Sequence, residues 1–275
     1  MLYNLQDLIT LAEDGGFAVP AFNVYNLETA MGVARAAEKL RAPVILQIYS
    51  RLFDSPNAKY LAPSVLEIIR DLPTPAALHL DHGAGLPEVM RALRCGCTGV
   101  MLDASAYPFA ENAARTRQVV ELAAASGVPV EGELGHVGTV NDAEMSPFTE
   151  PEEAAAFCDA TGVAALAVMV GTAHGRYKST PKLDQARISA IRAATGASLV
   201  LHGGSGIPDD AIRESVTRGI RKVNFGTDVC YSFLDAVFAT PRSLVAIDAF
   251  MKDAVSAVSA YAESKIALLG AVNRG

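Results

Sequence analysis

Three of the five histidines share a local pattern: His82 in "LHLDHG", His174 in "VGTAHG" and His202 in "LVLHGG" each stand beside glycine at the close of an apolar run. One such histidine is ordinarily a satisfied core or loop residue. Three that meet at one rim have the donor set of a catalytic zinc site, in which three imidazoles leave a position open for substrate. Acidic residues close neighbouring runs in the same way: Asp81 directly before His82, Asp103 in "VMLDAS" and Glu133 in "VEGELG". Each alone reads equally well as a loop cap, but beside a metal ligand Asp81 is placed to act as a general acid or base. His79, inside an apolar run, reads as core, and His136 as a loop residue. Two glycine-rich stretches, "HGGSGIP" and "KVNFGTD", would let backbone N–H groups approach an anion, with Ser205 and Thr227 donating further bonds.

Such distant residues need a scaffold that gathers strand ends. Short apolar, β-branched runs recur at 17–24, 43–49, 76–80, 98–103, 129–134, 165–171, 198–203 and 221–225. Helical periodicity fills 27–41, 86–94, 109–126, 151–160, 183–195 and 208–218. Asn26, Ser64, Glu150 and Asp209 sit near expected helix starts, and prolines 87, 151 and 208 suit first turns. Eight β–α alternations without a composition break predict an α/β protein, a (β/α)8 TIM barrel spanning 1–275 as one domain, with an open doubly wound sheet as the alternative. In a barrel, functional groups gather at the carboxyl ends of the strands, and phosphate sites commonly follow strands seven and eight. The tail over 243–269 repeats apolar residues at helical spacing, Val245, Phe250, Val255, Val258 and Ile266 among them, and predicts an additional long C-terminal helix packed on the barrel or on a second copy.

Composition narrows the function classes. Of 275 residues, 51% are hydrophobic and 19% charged, enough for a large core and unlike a disordered chain. A net charge of −7 argues against a nucleic-acid partner. Cys95, Cys97, Cys158 and Cys230 have neither a disulfide-framework nor a zinc-knuckle spacing and are expected reduced and buried. The first residues lack a basic leader, and no apolar run approaches the roughly 20 residues that span a bilayer. The expectation is a cytoplasmic protein with no membrane partner.

Taken together, "VPAFNVYNLET", "APVILQ", "LHLDHG", "GVMLDAS", "VEGELGHVG", "VGTAHGRYKSTPKLD", "LVLHGGSGIP" and "KVNFGTD" resemble the class II, metal-dependent ketose-bisphosphate aldolases, over nearly the whole chain. The length, without long insertions, is more similar to the tagatose-bisphosphate branch than to the longer fructose-bisphosphate enzymes. The resemblance implies reversible cleavage of a phosphorylated ketose, a 1-phosphate or 1,6-bisphosphate, to dihydroxyacetone phosphate and an aldehyde. It implies that His82, His174 and His202 hold the catalytic Zn2+, which takes up charge as the carbanion forms. Asp81 then matches the acid that protonates the aldehyde oxygen in condensation, and Asp103 and Glu133 match holders of a second or relocated divalent ion. Asn23, Gly175, Gly203, Gly204, Ser205, Asn224, Phe225, Gly226 and Thr227 match the triose-phosphate site, where Na+ or K+ assists with the phosphate. Lys178 matches a lysine beside that site, and reads as well as a solvated loop charge. The implied partner is a small phosphorylated sugar, and the implied assembly a homodimer or homotetramer.

Two positions depart from the resemblance. Asn141 stands where the family's loop glutamate moves the C3 proton, which leaves Asp142 or Glu144 as substitutes. Tyr49 stands where relatives commonly have serine near the substrate, so a bulky ring reshapes that wall. Beside the aldolase, two rivals remain: a zinc hydrolase on the same barrel, and a catalytically altered relative that only binds triose phosphate.

Overall fold

A computed structural model describes residues 1–142 and 147–275. Eight strands, β1 (Val19–Asn23), β2 (Val44–Tyr49), β3 (Ala76–Gly83), β4 (Gly99–Leu102), β5 (Val130–Leu134), β6 (Ala165–Val168), β7 (Ser198–Leu201) and β8 (Ile220–Phe225), form a closed barrel in sequence order. Every pairing is parallel, including β8 back to β1, so the sheet has no free edge and the protein is a TIM barrel. Helices cover the strands outside and side chains fill the barrel inside, which is why most strands are buried along their whole length and read as unbroken apolar runs.

Among the described residues twelve helices surround the barrel: α1 (Leu5–Gly15), α2 (Leu27–Leu40), α3 (Ser50–Phe53), α4 (Ala58–Asp71), α5 (Leu86–Arg94), α6 (Phe109–Ala124), α7 (Pro151–Thr161), α8 (Gln185–Ala194), α9 (Asp209–Thr217), α10 (Thr227–Ala239), α11 (Ile247–Phe250) and α12 (Lys252–Leu268). The start of α2 is written in its first residues. The Asn26 side chain accepts from the Thr29 amide, and Thr29 Oγ1 accepts from the Asn26 amide, a reciprocal capping box. Pro87 and Pro151 occupy first turns, and Asp209 opens α9.

Three expectations are corrected. Ser64 starts no helix: it lies within α4, where its hydroxyl donates to the Tyr60 carbonyl. The tail is not helical from 243. Pro241 follows the end of α10, Val245 and Ile247 are exposed with no core to pack on, and the continuous helix begins only at Lys252. From there α12 packs on α2 and α10. At Gly32 a Cβ would come within 2.7 Å of Val258, so only glycine allows this approach of α2 to α12. Of the four thiols only Cys97 is buried; the other three are partly exposed. Among the described residues no helix is long and apolar enough to cross a membrane.

Candidate active site

A regular strand would point Asp81 and His82 to opposite faces, because side chains alternate. Strand β3 avoids this. Its register against β4 shifts between Leu80 and Gly83, and His82 takes φ of 50°, in the left-handed region that residues with a Cβ rarely enter. The irregularity turns both side chains to one rim, where Asp81 Oδ1 lies 3.9 Å from His82 Nε2. His174 follows β6 and His202 follows β7, and one nitrogen from each of the three histidines lies within 4.8 Å of the others.

The remaining nitrogen of each ring is occupied. His82 Nδ1 lies 2.8 Å from Asp103 Oδ2, His174 Nδ1 lies 3.0 Å from the Val137 carbonyl, and His202 Nε2 lies 2.8 Å from Glu131 Oε1. Acceptors at those positions draw the ring protons outward, so that three nitrogens could turn lone pairs to a bound metal; in this structure the inward nitrogens of His82 and His202 share a proton across 3.0 Å instead. A second group, His82 with Asp103 and Glu133, is equally compact and shares one histidine with the first.

Charge balance also suits a cation. Burial works against protonated His82, but Asp81, Asp103 and Glu133 outweigh it and push its pKa up to about 10. Burial, joined by the charges on His82 and His202, takes His174 down to about 3. Burial and the neighbouring Asp103 push Glu133 up to about 8. A proton on His82 thus sits where a metal ion's charge would be shared.

Asp81 is buried and held from two sides. Its Oδ2 accepts from Asn23 Nδ2 at 2.7 Å and its Oδ1 from Asn224 Nδ2 at 3.2 Å. Each amide is itself oriented from behind: Gln47 Nε2 donates to Asn23 Oδ1 at 2.8 Å, and Lys222 Nζ donates to Asn224 Oδ1 at 2.7 Å. Burial disfavours the Asp81 carboxylate, yet the charges on His82, His202 and Lys222 and the Asn23 bond hold it below the usual carboxylate range.

The loops after β7 and β8 form the rest of the wall. Gly203 has φ of 66°, and a Cβ there would lie 2.4 Å from the Ala173 carbonyl oxygen, so only glycine lets this loop pass the His174 loop. Tyr177 ties the two together, accepting from the Ala173 amide and donating to the Gly203 carbonyl. Gly226 precedes α10, whose first residue, Thr227, lines the cavity with Gly203 and Ser205. Helix N-termini and exposed amides of this kind suit a phosphate. The open cavity has a volume of about 280 Å3, and Asn23, Asp81, His82, His174, Gly175 and Asn224 complete its wall.

Residues 3–274 match the family described as "Fructose-bisphosphate aldolase class-II". The chain belongs to that family. The aldolase is similar to the crystal structure of the YdjI aldolase from Escherichia coli K12, with 32% identity and a TM-score of 0.90 over 99% of this chain and 98% of that one. It is also similar to a putative fructose-1,6-biphosphate aldolase from Coccidioides immitis, with 28% identity and a TM-score of 0.90 over 98% of this chain and 96% of that one. Fructose-bisphosphate aldolase from Campylobacter jejuni, at 22% identity and a TM-score of 0.86 over 100% of this chain and 97% of that one, shares the fold. Membership makes the protein a lyase of a generally metal-dependent family that acts on small sugar phosphates.

Some residues expected at the aldolase's site stand elsewhere. The Phe225 side chain is fully buried and stacks 5.7 Å from the Phe22 ring, so it belongs to the core. Gly204 does not line the cavity; its amide donates to the Asn224 carbonyl and ties the β7 loop to β8. Lys178 lines a neighbouring cavity with Asp142, Tyr177 and Lys182. Asp142 bonds the Thr139 amide and hydroxyl, which hold its carboxyl below its ordinary range, and it does not line the reactive cavity. Glu144 lies outside the described residues. Tyr49 does line the cavity, its ring 5.9 Å from that of His82.

The sequence reading missed a polar layer beneath the rim. Gln47, His79, Glu131 and Lys222 are completely buried, and Lys222 Nζ lies 2.9 Å from Glu131 Oε2. Each stands two residues before a rim residue on its own strand, namely Tyr49, Asp81, Glu133 and Asn224. That period-two spacing was a usable signal: residues i and i+2 of a strand face the same side. Ser105 was missed too. Its hydroxyl lies within hydrogen-bond distance of Asp103, Glu133 and His136, and His136 lines the cavity.

Proposed function

We propose that the protein reversibly cleaves a ketose 1-phosphate or 1,6-bisphosphate to dihydroxyacetone phosphate and an aldehyde. The observation that carries this is the convergence of three histidine nitrogens beside Asp81, whose two oxygens are both fixed by amides. A divalent ion on His82, His174 and His202, zinc by the donor set, would supply the Lewis acid that draws charge onto the C2 oxygen. Asp103 and Glu133, with His82, have the donor types for a second or relocated ion. The loops at Gly203–Ser205 and Gly226–Thr227 hold the C1 phosphate, with Na+ or K+ beside it.

In cleavage, Asp81 takes the proton from the C4 hydroxyl as the C3–C4 bond breaks, and in condensation it returns that proton to the aldehyde oxygen. Asn23 and Asn224 keep the carboxylate at the C4 oxygen, and Asn224 also faces the triose. Proton movement at C3 falls to a loop carboxylate, Asp142 or Glu144, since the amide of Asn141 cannot serve. For Asp142 this requires release from Thr139. The reading implies a cytoplasmic enzyme, and exposed Phe238, Val245 and Ile247 on and after α10 support self-association as a homodimer or homotetramer.

The deciding test is proton–deuterium exchange at C3 of dihydroxyacetone phosphate in D2O, followed by NMR with and without a chelator. Metal-dependent exchange is expected. No exchange by metal-loaded protein would favour the binding-only relative, which Asn141 supports. Hydrolysis without carbon–carbon cleavage would favour the hydrolase.

A further inference from the structure

The two loops read as the phosphate site carry a negative charge of their own. Ser205 and Thr227 line the cavity, but Asp228, the residue after Thr227, does not. The Asp228 amide donates to Ser205 Oγ at 3.2 Å and its Oδ2 accepts from the Gly206 amide at 3.2 Å, so this residue staples the β8 loop to the β7 loop. The same oxygen accepts from the Tyr261 hydroxyl at 3.3 Å. Tyr261 comes from α12, none of whose residues lines the cavity. Packing holds that hydroxyl in place: the Tyr261 ring stands edge-on to Phe22 and Phe225, with centroids 6.4 and 6.2 Å away. Burial first, and the Asp228 charge second, keep the Tyr261 pKa above its ordinary value, so the hydroxyl stays a donor.

A carboxylate next to a bound phosphate repels it unless the carboxylate is turned away and its charge is met by donors. Gly206 and Tyr261 both donate to Asp228 Oδ2, and only Tyr261 does so from outside the two loops. We propose that Tyr261 is a positioning residue for the phosphate: its hydroxyl keeps the Asp228 carboxylate out of the cavity, which then receives the hydroxyls and amides of the β7 and β8 loops without that charge. This rests on the reading of those loops as the C1 phosphate site and extends the site to a helix that never touches the substrate. Phosphate affinity then depends on α12 as well as on the loops.

The test is calorimetric titration of 2-phosphoglycolate into the Zn2+-loaded full chain, in wild type, Y261F, D228N and the double variant. Y261F keeps the ring and its packing, so it should fold, which a thermal melt verifies. It should weaken binding about tenfold, the scale of a lost hydrogen bond to a charged group. Zn2+ affinity, read by chelator competition, should not change. In the D228N background, where no charge needs holding, the same substitution should cost less than about twofold. In C3 exchange of dihydroxyacetone phosphate the Y261F loss should appear in KM, with kcat within about twofold of wild type. Equal losses in both backgrounds would mean that Tyr261 acts through packing and overturn the proposal. A fall in Zn2+ affinity alongside, or a loss in kcat instead of KM, overturns it too. Undiminished binding by Y261F overturns the proposal and leaves the phosphate reading of the loops standing. Absence of binding by wild type overturns that reading and the proposal together. The titration requires no turnover, so it decides even where C3 exchange is absent.

Discussion

The strand ends and the loop after β5 contribute to one cavity under different rules. At the strand ends the groups around Asp81 are held in place: Asp81 has two amides, each amide has a donor behind it, and two of the three histidines are held by carboxylates. Beyond His136, whose ring reaches Ser105, the described part of the loop is tied to the His174 segment through backbone. The His174 amide donates to the Gly138 carbonyl and the Val140 amide to the His174 carbonyl, while Asn141 and Asp142 are exposed and bond within their own turn. Under the proposed mechanism the difference is between groups that hold one geometry throughout a reaction and a group that arrives and leaves. Barrel strands suit the first task and a lightly tethered loop suits the second.

The comparison is broken most directly at Asp81. D81N should reduce carbon–carbon cleavage by about 10^2 to 10^4-fold, with a far smaller effect on C3 exchange, since the proposed mechanism gives Asp81 the C4 oxygen alone. Parallel collapse of both activities would mean that the strand-borne acid also does the loop's work. Next comes the buried layer. E131Q removes the charge that holds His202 and should weaken metal affinity about 10 to 100-fold, read by chelator competition. Adding K222M should recover the stability lost by stranding a buried ammonium but not the metal affinity. Unchanged affinity in E131Q would reduce Glu131 to a packing role.

On the loop side, N141E should raise the rate of C3 exchange about tenfold if the base acts from that position. A rate unchanged in N141E but lost in D142A would assign the base to Asp142. The smallest effect concerns pH. In metal-free protein the His82 pKa is raised from 6.5 to about 10, so its contribution to stability is complete below 6.5 and is lost as pH climbs through 10. Glu133, raised from 4.5 to about 8, contributes with the same sign. The Tm of chelated protein should therefore fall between pH 7 and 10, and Zn2+ should flatten that slope because metal binding replaces the proton. A flat profile without metal would show that the cluster is arranged differently in the free protein.

Much of this was legible in the sequence, for identifiable reasons. Parallel strands buried on both faces must be apolar runs, so all eight could be located, and polar residues that end such runs mark the rim. Less visible was anything that breaks periodicity. The bulge bringing Asp81 and His82 to one side has no pattern of its own. Helix α10 is apolar around most of its circumference, yet only Val229 is buried, so neither amphipathicity nor burial announces it. Lys222 gave no signal of its own in the sequence, because its partners, Glu131 and Asn224, belong to another strand and to the rim. Phe225 and Lys178 were carried over with their motifs, and only packing reveals that one faces the core and the other a separate cavity.

Ring closure also sets a timetable for synthesis. Strand β1 pairs with β8, and α2 receives α12, so the earliest parts of the barrel wait for the latest. About 200 residues separate β1 from β8, which at ribosomal speed is roughly 10 to 40 s. During that interval the nascent chain carries an open parallel edge and an apolar helix face with no native cover, the exposure on which aggregation depends. The exposure lies in the unfinished chain, where the stability of the completed barrel gives no protection.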